Sequence, residues 1–344
     1  MFGVLRGAFT RKGGFYQCSR QAANISRSHW ISTTNNARLW YLKRLDLYQT
    51  EKPYHINLPA NALGRHAQSN EVSQEYAGIR IKSLRGFEND FNLDKNGFQI
   101  FEDIDCGDDA DWSTHSASAA PTSDVYADPD IVRKKYYPAI ERLLKKKLGA
   151  QMAKAFTHDV RRREPQFPAL PRGTGTSPQP VQGVHVDLTP RWAEEKLHML
   201  FPAEQTWGIM QHRWQVLNVW RPLFGPLQDW PLGLCDYSSI NPQRDLVPSD
   251  NIYTHIVTET YNVYHDNAHR WYFLGDMKPN ELLVFKSFDT MAAEGNARVC
   301  PHAAFEHPET PANARLRESI ECLVYVIYPE RRSTASRTDI DLLP

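Results

Sequence analysis

Two residues of metal-ligating type lie close together in the segment 183–188, whose sequence is GVHVDL. Its alternation predicts a β-strand in which His185 and Asp187 share one face, while the apolar residues beside them face a core. One imidazole and one carboxylate on a rigid strand supply two ligands of a two-histidine, one-carboxylate metal site. Such a triad leaves coordination positions open and is typical of iron(II) enzymes that bind a cosubstrate and dioxygen.

The His-X-Asp motif is weak evidence by itself. The chain contains 13 histidines, so roughly one such motif is expected by chance. His307 and Glu309 form a competing His-X-Glu pair, which we discount because the intervening Pro308 suits a turn better than a central strand.

The second histidine ligand has to come from a strand late in the chain. His302 lies among small and apolar residues, where a histidine is more often a hydrogen-bonded structural residue than a ligand. The order of motifs favours it, because an Arg-X-Ser pair on an apolar strand follows about fifteen residues later. We therefore predict a metal triad of His185, Asp187 and His302, with no catalytic side chain beyond the metal centre.

Arg317 and Ser319 occupy alternate positions of this late strand and therefore share a face. A buried arginine requires a permanent anion, and a fork of N–H donors beside a hydroxyl matches the distal carboxylate of 2-oxoglutarate. We predict that both residues bind this cosubstrate. The alternative is an internal salt bridge to Glu318 or Glu321, and Arg315 is a weaker candidate on the same strand parity.

Four further residues are candidates for the wall of the substrate pocket: Asn218, Trp220, Tyr261 and Lys286. Asn218 and Trp220 share strand parity and hence one face. Packing in the core is the competing interpretation for both aromatic residues; it is the favoured one for Trp220 and evenly balanced for Tyr261.

The composition excludes several classes of protein. Lys plus Arg and Asp plus Glu balance at 40 each in 344 residues, so no global field indicates nucleic acid as a partner. No apolar run approaches the ~18 residues of a membrane helix. The five cysteines include no Cys-X-X-Cys pair, which argues against a zinc ribbon or a disulfide framework. We expect a small-molecule substrate and dioxygen as partners, and no nucleic acid, membrane or obligate protein partner.

The first 44 residues contain eight basic residues and no acidic one. This composition resembles a mitochondrial transit peptide, and the alternative is a disordered basic leader on a cytosolic enzyme. A cytoplasmic or mitochondrial location is expected, and secretion is not. We predict a leader over 1–44, one oxygenase domain over 45–330 and a tail over 331–344.

Within that domain the pattern changes near residue 176. The front, 45–175, is predicted to be helical and irregular: a helix runs from a cap at Asp128 to Gly149 with a kink at Pro138, and the polar stretch Ser113–Asp124 and the segment 161–180 are loops. Short apolar runs separated by turn residues fill 176–330, apart from a helix capped by Thr189. The predicted fold is mainly β with flanking α-helices around a double-stranded β-helix core, that is, a cupin-like jelly roll.

A series of longer motifs resembles the fungal AsaB-like hydroxylase/desaturase family, which is similar to fungal gibberellin desaturases and a cephem methoxylation component. The resemblance extends from about Arg38 to about Pro329. The motifs that carry it are TEKPY (50–54), NVWRPL (218–223), DWPL (229–232), DLVP (245–248), ETY (259–261), HRWY (269–272), LLVFK (282–286) and RESIE (317–321).

This resemblance implies a double-stranded β-helix, iron(II), 2-oxoglutarate, and hydroxylation or desaturation of a small, often secondary, metabolite. Ascorbate would serve as reductant in vitro. The family's metal pattern falls on His185, Asp187 and His302, and its cosubstrate arginine on Arg317. Leu188 and Ala303 depart from the family pattern, in which we expect a polar residue and a threonine.

Two other functions remain open on the sequence. One is a catalytically silent cupin-like binding protein, against which the intact metal residues argue. The other is a zinc-dependent hydrolase that uses the same three ligands, although such an enzyme would have no need of Arg317.

Overall fold

The computed structural model describes residues 32–58, 68–102, 126–169, 177–291 and 295–331. Most of the predicted basic leader, the Ser113–Asp124 stretch, part of the 161–180 loop and residues 332–344 of the predicted tail lie outside the described residues.

Fourteen strands make up the described part of the fold, and they form two sheets. The strands are β1 (Thr34–Leu42), β2 (Tyr54–Ile56), β3 (Ser73–Ser83), β4 (Phe98–Glu102), β5 (Met152–Arg162), β6 (His185–Val186), β7 (His212–Pro222), β8 (Leu232–Cys235), β9 (Leu246–Ile252), β10 (Val257–Val263), β11 (Trp271–Phe273), β12 (Glu281–Asp289), β13 (His302–Ala304) and β14 (Glu318–Arg331). The larger sheet has nine strands in the order β1-β3-β11-β8-β13-β6-β10-β9-β2. The smaller sheet has five, in the order β4-β12-β7-β14-β5.

Six α-helices accompany the sheets in the described residues. They are α1 (Leu93–Asn96), α2 (Pro129–Ile131), α3 (Tyr137–Leu148), α4 (Pro190–Leu200), α5 (Ala203–Met210) and α6 (Pro242–Asp245), with short 3-10 turns at Asp46–Gln49, Glu88–Asp90 and Tyr237–Ser239. None of these described helices is both long and apolar enough to cross a lipid bilayer.

The predicted helix after residue 128 is confirmed. The Asp128 carboxylate accepts hydrogen bonds from the first backbone N–H groups, and Gly149 ends the helix with a φ of 66°. A π-turn, Val132–Tyr136, joins α2 to α3 just before Pro138, the residue that cannot donate a helical hydrogen bond. The apolar side of α3 covers the outer face of the smaller sheet, and its Ile140 and Leu144 are fully buried there.

The inner face of the smaller sheet packs against the larger sheet. Trp220 and Phe285 from the smaller sheet share one apolar cluster with Leu232 and Leu234 from the larger sheet. Because β7 and β12 are covered on both faces, nearly all of their residues are buried. Polar side chains in the space between the two sheets therefore require hydrogen-bond partners, because they are shielded from water there.

Two predictions differ from the structure. The front, 45–175, was predicted to be helical and irregular, yet it contains β2, β3, β4 and β5. Since β3 and β5 have few buried residues, their sequences lack the apolar runs that mark the strands of 176–330.

The second difference concerns the N-terminus. The basic leader was placed over 1–44, whereas Thr34–Leu42 forms β1 and pairs with β3 in the larger sheet. The basic residue Arg38 lies on the exposed face of this strand, while Ala37 and Leu39 are fully buried. A segment that is basic in composition thus contains an ordinary edge strand.

Candidate metal centre

The three predicted metal ligands meet between the sheets. His185 begins β6, Asp187 follows that strand directly, and His302 lies opposite His185 on β13. Asp187 Oδ1 is 3.4 Å from His185 Nε2, and Asp187 Oδ2 is 3.6 Å from His302 Nε2. One ligand atom from each residue can be chosen so that all three lie within 4.8 Å of one another.

Backbone carbonyl groups set the orientation of both imidazole rings. His185 Nδ1 lies 2.8 Å from the Gly183 carbonyl oxygen, and His302 Nδ1 lies 3.1 Å from the Cys300 carbonyl oxygen. Each Nδ1–H therefore donates a hydrogen bond to a carbonyl oxygen, and both Nε2 atoms face Asp187. The Phe285 ring packs against His302 at 4.6 Å and restricts its rotation further.

The electrostatics of the cluster favour metal binding. Burial, followed by the neighbouring His185, lowers the pKa of His302 to about 4, so this ring is neutral at physiological pH. Burial alone would raise the pKa of Asp187, but the two histidines and a hydrogen bond from Asn218 hold it well below its ordinary range. Burial would lower the pKa of His185, but the hydrogen bond and the charge of Asp187 raise it. The site thus presents a carboxylate at Asp187 and a neutral imidazole at His302, which are the forms that bind a metal.

This donor set fits iron(II). Two imidazole nitrogens and one carboxylate oxygen converge from one side, as in the facial triad of non-haem iron oxygenases. Cys300, two residues from His302, does not add a thiolate, because its Sγ is directed at the Cys235 carbonyl oxygen at 3.5 Å. The absence of a sulfur ligand separates this cluster from the cysteine-containing sites preferred by structural zinc.

A hydrogen-bonded group of side chains extends the site into the smaller sheet. Asn218 Nδ2 donates to Asp187 Oδ2 and to Glu321 Oε1, each at 2.5 Å, and Ser287 Oγ donates to Asn218 Oδ1 at 2.5 Å. Burial, followed by the negative charge of Asp187, raises the pKa of Glu321 to about 7. The metal triad is thus bonded directly to the opposite sheet.

Arg317 lies immediately before β14 and is only 2% exposed. Its Nη1 donates to the Trp230 carbonyl oxygen at 2.8 Å, its Nε to Ser319 Oγ at 3.2 Å, and its backbone N–H to Asp229 Oδ2. Among the described residues, no carboxylate forms an ion pair with the guanidinium group. Burial, followed by the charge of Arg161, accordingly lowers the pKa of Arg317 to about 9. A buried cation in this situation fits an anionic ligand.

The alternatives for Arg317 are occupied elsewhere. Glu318 pairs with Arg315 at 2.7 Å and with Arg162, while Glu321 accepts the hydrogen bond from Asn218. Arg315 itself is exposed, so it is not the buried cation.

The four predicted pocket residues separate into two groups. Asn218 contacts the triad, and Trp220 lies under the Arg317 guanidinium with 5.0 Å between its ring centre and Cζ. Tyr261 lies opposite Val186 in an apolar cluster on the face of the larger sheet away from His185. Lys286 Nζ binds Asp289 at 2.6 Å and also Asp94 and the Ala297 carbonyl oxygen. We therefore leave Tyr261 and Lys286 out of the proposed pocket.

Two residues of the site were missed in the sequence. Glu321 shares strand parity with Arg317 and Ser319, and this alternation places its side chain on the same face as theirs. From the sequence, however, Glu321 is interpreted only as a possible salt-bridge partner of Arg317. Ser287 could not be predicted, because it lies at a β-bulge where β12 shifts register against β7. The bulge changes the face of this residue, and its position depends on how the two strands pair and not on the sequence of one strand.

Comparisons with known proteins agree with this description. Residues 39–327 match a family profile described as an oxidoreductase/YMDC permease-like domain. The "Hydroxylase/desaturase efuI" of Hormonema carpetanum is 31% identical over 285 residues, which cover 76% of this chain and 88% of that protein. The "Fe(II)/2-oxoglutarate-dependent dioxygenase nvfI" of Aspergillus novofumigatus is 29% identical over 252 residues, covering 72% and 82%. A solved structure of the iron- and alpha-ketoglutarate-dependent endoperoxidase NvfI superimposes with a TM-score of 0.71 at 24% identity, over 86% of this chain and 98% of that one.

The fold and the donor set define an oxygenase with a double-stranded β-helix core, and the predicted fold class is confirmed. The chain belongs to the fungal AsaB-like hydroxylase/desaturase family of iron(II)- and 2-oxoglutarate-dependent dioxygenases. It is an oxidoreductase that uses iron(II), 2-oxoglutarate and dioxygen on a small-molecule substrate. Neither a silent binding protein nor a zinc hydrolase finds support among these relatives.

Proposed function

We propose that His185, Asp187 and His302 hold the iron(II), and that Arg317 with Ser319 binds the distal carboxylate of 2-oxoglutarate, for the oxidation of a small secondary metabolite. The observation that carries this proposal is the convergence of three ligand atoms within 4.8 Å, together with a buried guanidinium group that forms no ion pair with a carboxylate of the described residues. When bound, iron(II) and 2-oxoglutarate activate dioxygen and remove hydrogen from an unactivated carbon.

The residues of the chain supply placement. The carbonyl oxygens of Gly183 and Cys300 hold the imidazole rings in the tautomer with a free Nε2. The Trp230 carbonyl and Ser319 Oγ fix two donors of the Arg317 guanidinium, so its remaining N–H groups are free for a carboxylate. The cosubstrate would thus extend from the larger sheet, which provides the metal ligands, to the start of β14.

The substrate is expected to enter along β5, the edge strand of the smaller sheet. Thr157 and Asp159 lie opposite the inner-face residues Leu323 and Glu321, and yet both are exposed. Because β5 is exposed to solvent on this side of the triad, it leaves room for a bulky metabolite. The relatives' names include hydroxylases, desaturases and an endoperoxidase, and we propose hydroxylation or desaturation here.

Metal content and cosubstrate turnover test the assignment. His185→Ala, Asp187→Ala and His302→Ala should each lose iron(II) after anaerobic reconstitution and lose 2-oxoglutarate consumption. His307→Ala is the matched control, because His307 is also buried and bonded to a carbonyl oxygen, that of Ser32, but lies outside the triad. Equal iron content in the triad variants and the wild type would overturn the assignment. Comparing metabolites of a deletion strain and its parent would then identify the substrate.

The cellular compartment is a separate proposal. The acid-free composition of the first 44 residues supports a mitochondrial or a cytoplasmic location. A fluorescent fusion of residues 1–45 separates the two, since import into mitochondria requires that the segment act as a transit peptide.

A further inference from the structure

Asn218 is a fully buried amide on β7, flanked on both sides by the apolar pairs Val216-Leu217 and Val219-Trp220. Its neighbours Leu217 and Val219 point to the other face, into the cluster covered by α3. A buried amide destabilises a fold unless its donors and its acceptor are all hydrogen-bonded. A valine or leucine would suit this position if the strand had only a structural role. The three hydrogen bonds of Asn218 therefore indicate a functional role.

The partners fix the orientation of the amide. Carboxylates accept hydrogen bonds, so the NH2 group has to face Asp187 and Glu321, and the amide oxygen has to face the hydroxyl of Ser287. Ser287 is also placed by the β-bulge between Lys286 and Phe288, which turns its hydroxyl towards Asn218 and to within 3.5 Å of Asp187 Oδ2. The amide is thus held from one side and presents both N–H groups on the other.

These contacts give the two carboxylate oxygens of Asp187 different hydrogen-bond partners. Oδ2 lies 3.6 Å from His302 Nε2 and accepts the hydrogen bond of Asn218 at 2.5 Å, whereas Oδ1 lies 3.4 Å from His185 Nε2 and receives no hydrogen bond from Asn218. A carboxylate whose second oxygen is held by a neutral donor binds a metal through one oxygen in a fixed direction. The other N–H of the same amide holds Glu321, which keeps two neighbouring carboxyl groups apart.

We propose that Asn218, oriented by Ser287, is a positioning residue that selects Oδ1 of Asp187 as the ligand atom and fixes its direction. This inference rests on the proposed function, because it requires Asp187 to be a metal ligand. Asn218 touches neither substrate nor cosubstrate in this role; it acts through the carboxylate.

Manganese(II) binding to the full-length protein, followed by calorimetry, tests the inference without turnover. Asn218→Ala removes the donor, and Asn218→Asp keeps the size but replaces the donor with an acceptor. Both should weaken manganese(II) binding about 10- to 100-fold. Ser287→Ala leaves Asn218 in place but unanchored, and should weaken binding by a smaller factor. In the anaerobic complex of iron(II) with 2-oxoglutarate, the visible charge-transfer band should shift in the Asn218 variants.

The matched control is Val219→Ala, on the same strand but on the opposite face. Val219 is fully buried away from the triad, so this variant should lower the thermal midpoint and leave manganese(II) affinity unchanged. This pattern separates loss of packing from loss of positioning.

The possible failures are distinguishable. If His185→Ala binds manganese(II) as tightly as the wild type, the proposed function fails. If His185→Ala loses binding but both Asn218 variants stay within about threefold of the wild type with an unshifted band, only the positioning role is overturned. If the Asn218 variants do not fold, Ser287→Ala decides, and unchanged affinity in that variant overturns the inference.

Discussion

The guanidinium carbon of Arg317 lies 5.0 Å from the centre of the Trp220 ring, on the inner face of the smaller sheet. Trp220 in turn lies opposite Glu321 and Leu283 in the strand register and packs with Phe285. A cation over an indole face gains a modest electrostatic attraction that requires no counter-anion. Trp220 is therefore part of the core, which is the interpretation favoured from the sequence, and it also lies beneath the proposed cosubstrate anchor. Its place in the wall of the substrate pocket stays a prediction.

The first prediction concerns Arg317→Met. Losing charged hydrogen bonds of about 1.5–3 kcal/mol should weaken 2-oxoglutarate binding about 10- to 150-fold. The same change should raise the stability of the cosubstrate-free protein, because it removes a buried cation that forms no ion pair with any carboxylate in the described part of the chain. Calorimetry with manganese(II) present measures the affinity, and thermal unfolding measures the stability. Arg315→Met, at an exposed position, is the control, and unchanged cosubstrate affinity in Arg317→Met would remove the anchor assignment.

The second prediction concerns Trp230, whose backbone has a φ of 46°. A left-handed conformation costs an L-residue about 1–2 kcal/mol, and glycine largely escapes this cost. Trp230→Gly and Trp230→Ala both lose the ring contact with Phe167, but only the alanine variant retains the strain. The glycine variant should therefore be more stable by about 1 kcal/mol in urea unfolding. An alanine variant that is equally stable would show that this turn carries no strain.

The third prediction tests the placement of Lys286. Its fully buried ammonium group binds Asp289 and Asp94, so Lys286→Met should destabilise the fold by about 3 kcal/mol. Manganese(II) and 2-oxoglutarate affinities should stay at the wild-type level, since this side chain lies opposite Leu217 and not opposite Asn218. Lys278→Met, at an exposed position, should change the stability little. A loss of cosubstrate affinity in Lys286→Met would contradict this placement and support a role for Lys286 in the pocket.

The fourth prediction is a pH dependence. The folded state raises the pKa of Glu321 to about 7, so it binds this proton more tightly than the unfolded chain does. The stabilisation is complete below the ordinary pKa of a glutamate, about 4.3, and is lost as the pH rises through about 7. Glu321→Gln mimics the protonated form, so the variant should gain about 1–3 kcal/mol over the wild type between about pH 5 and pH 8. Urea unfolding of metal-free protein measures this difference, and a gap that is constant with pH would contradict it.

The parts of the site that depend on a single strand could be predicted from the sequence. Alternation placed His185 and Asp187 on one face and Arg317 and Ser319 on another, and the structure has both pairs as expected. Tyr261 could not be assigned in this way, because its face depends on the register that sets it opposite Val186. Lys286 failed for a related reason: β12 is buried on both sides, so hydrophobicity gives no alternation from which to assign a face.

Composition was the less reliable guide at the N-terminus. The absence of acidic residues predicted a leader up to residue 44, yet a strand needs only one buried face, and Ala37, Leu39 and Tyr41 supply it. One basic side chain on the other face, that of Arg38, is compatible with an edge strand.

The division of the site between the two sheets has a consequence for the lifetime of the enzyme in the cell. The proposed metal ligands belong to the larger sheet and Arg317 to the start of β14 in the smaller one, so a bound cosubstrate would tie the sheets together. Ligands that bind only the native state shift the folding equilibrium by mass action. A cell short of iron or of 2-oxoglutarate would then hold more of this protein in forms open to proteases, and its abundance would follow the supply of both ligands without any change in transcription.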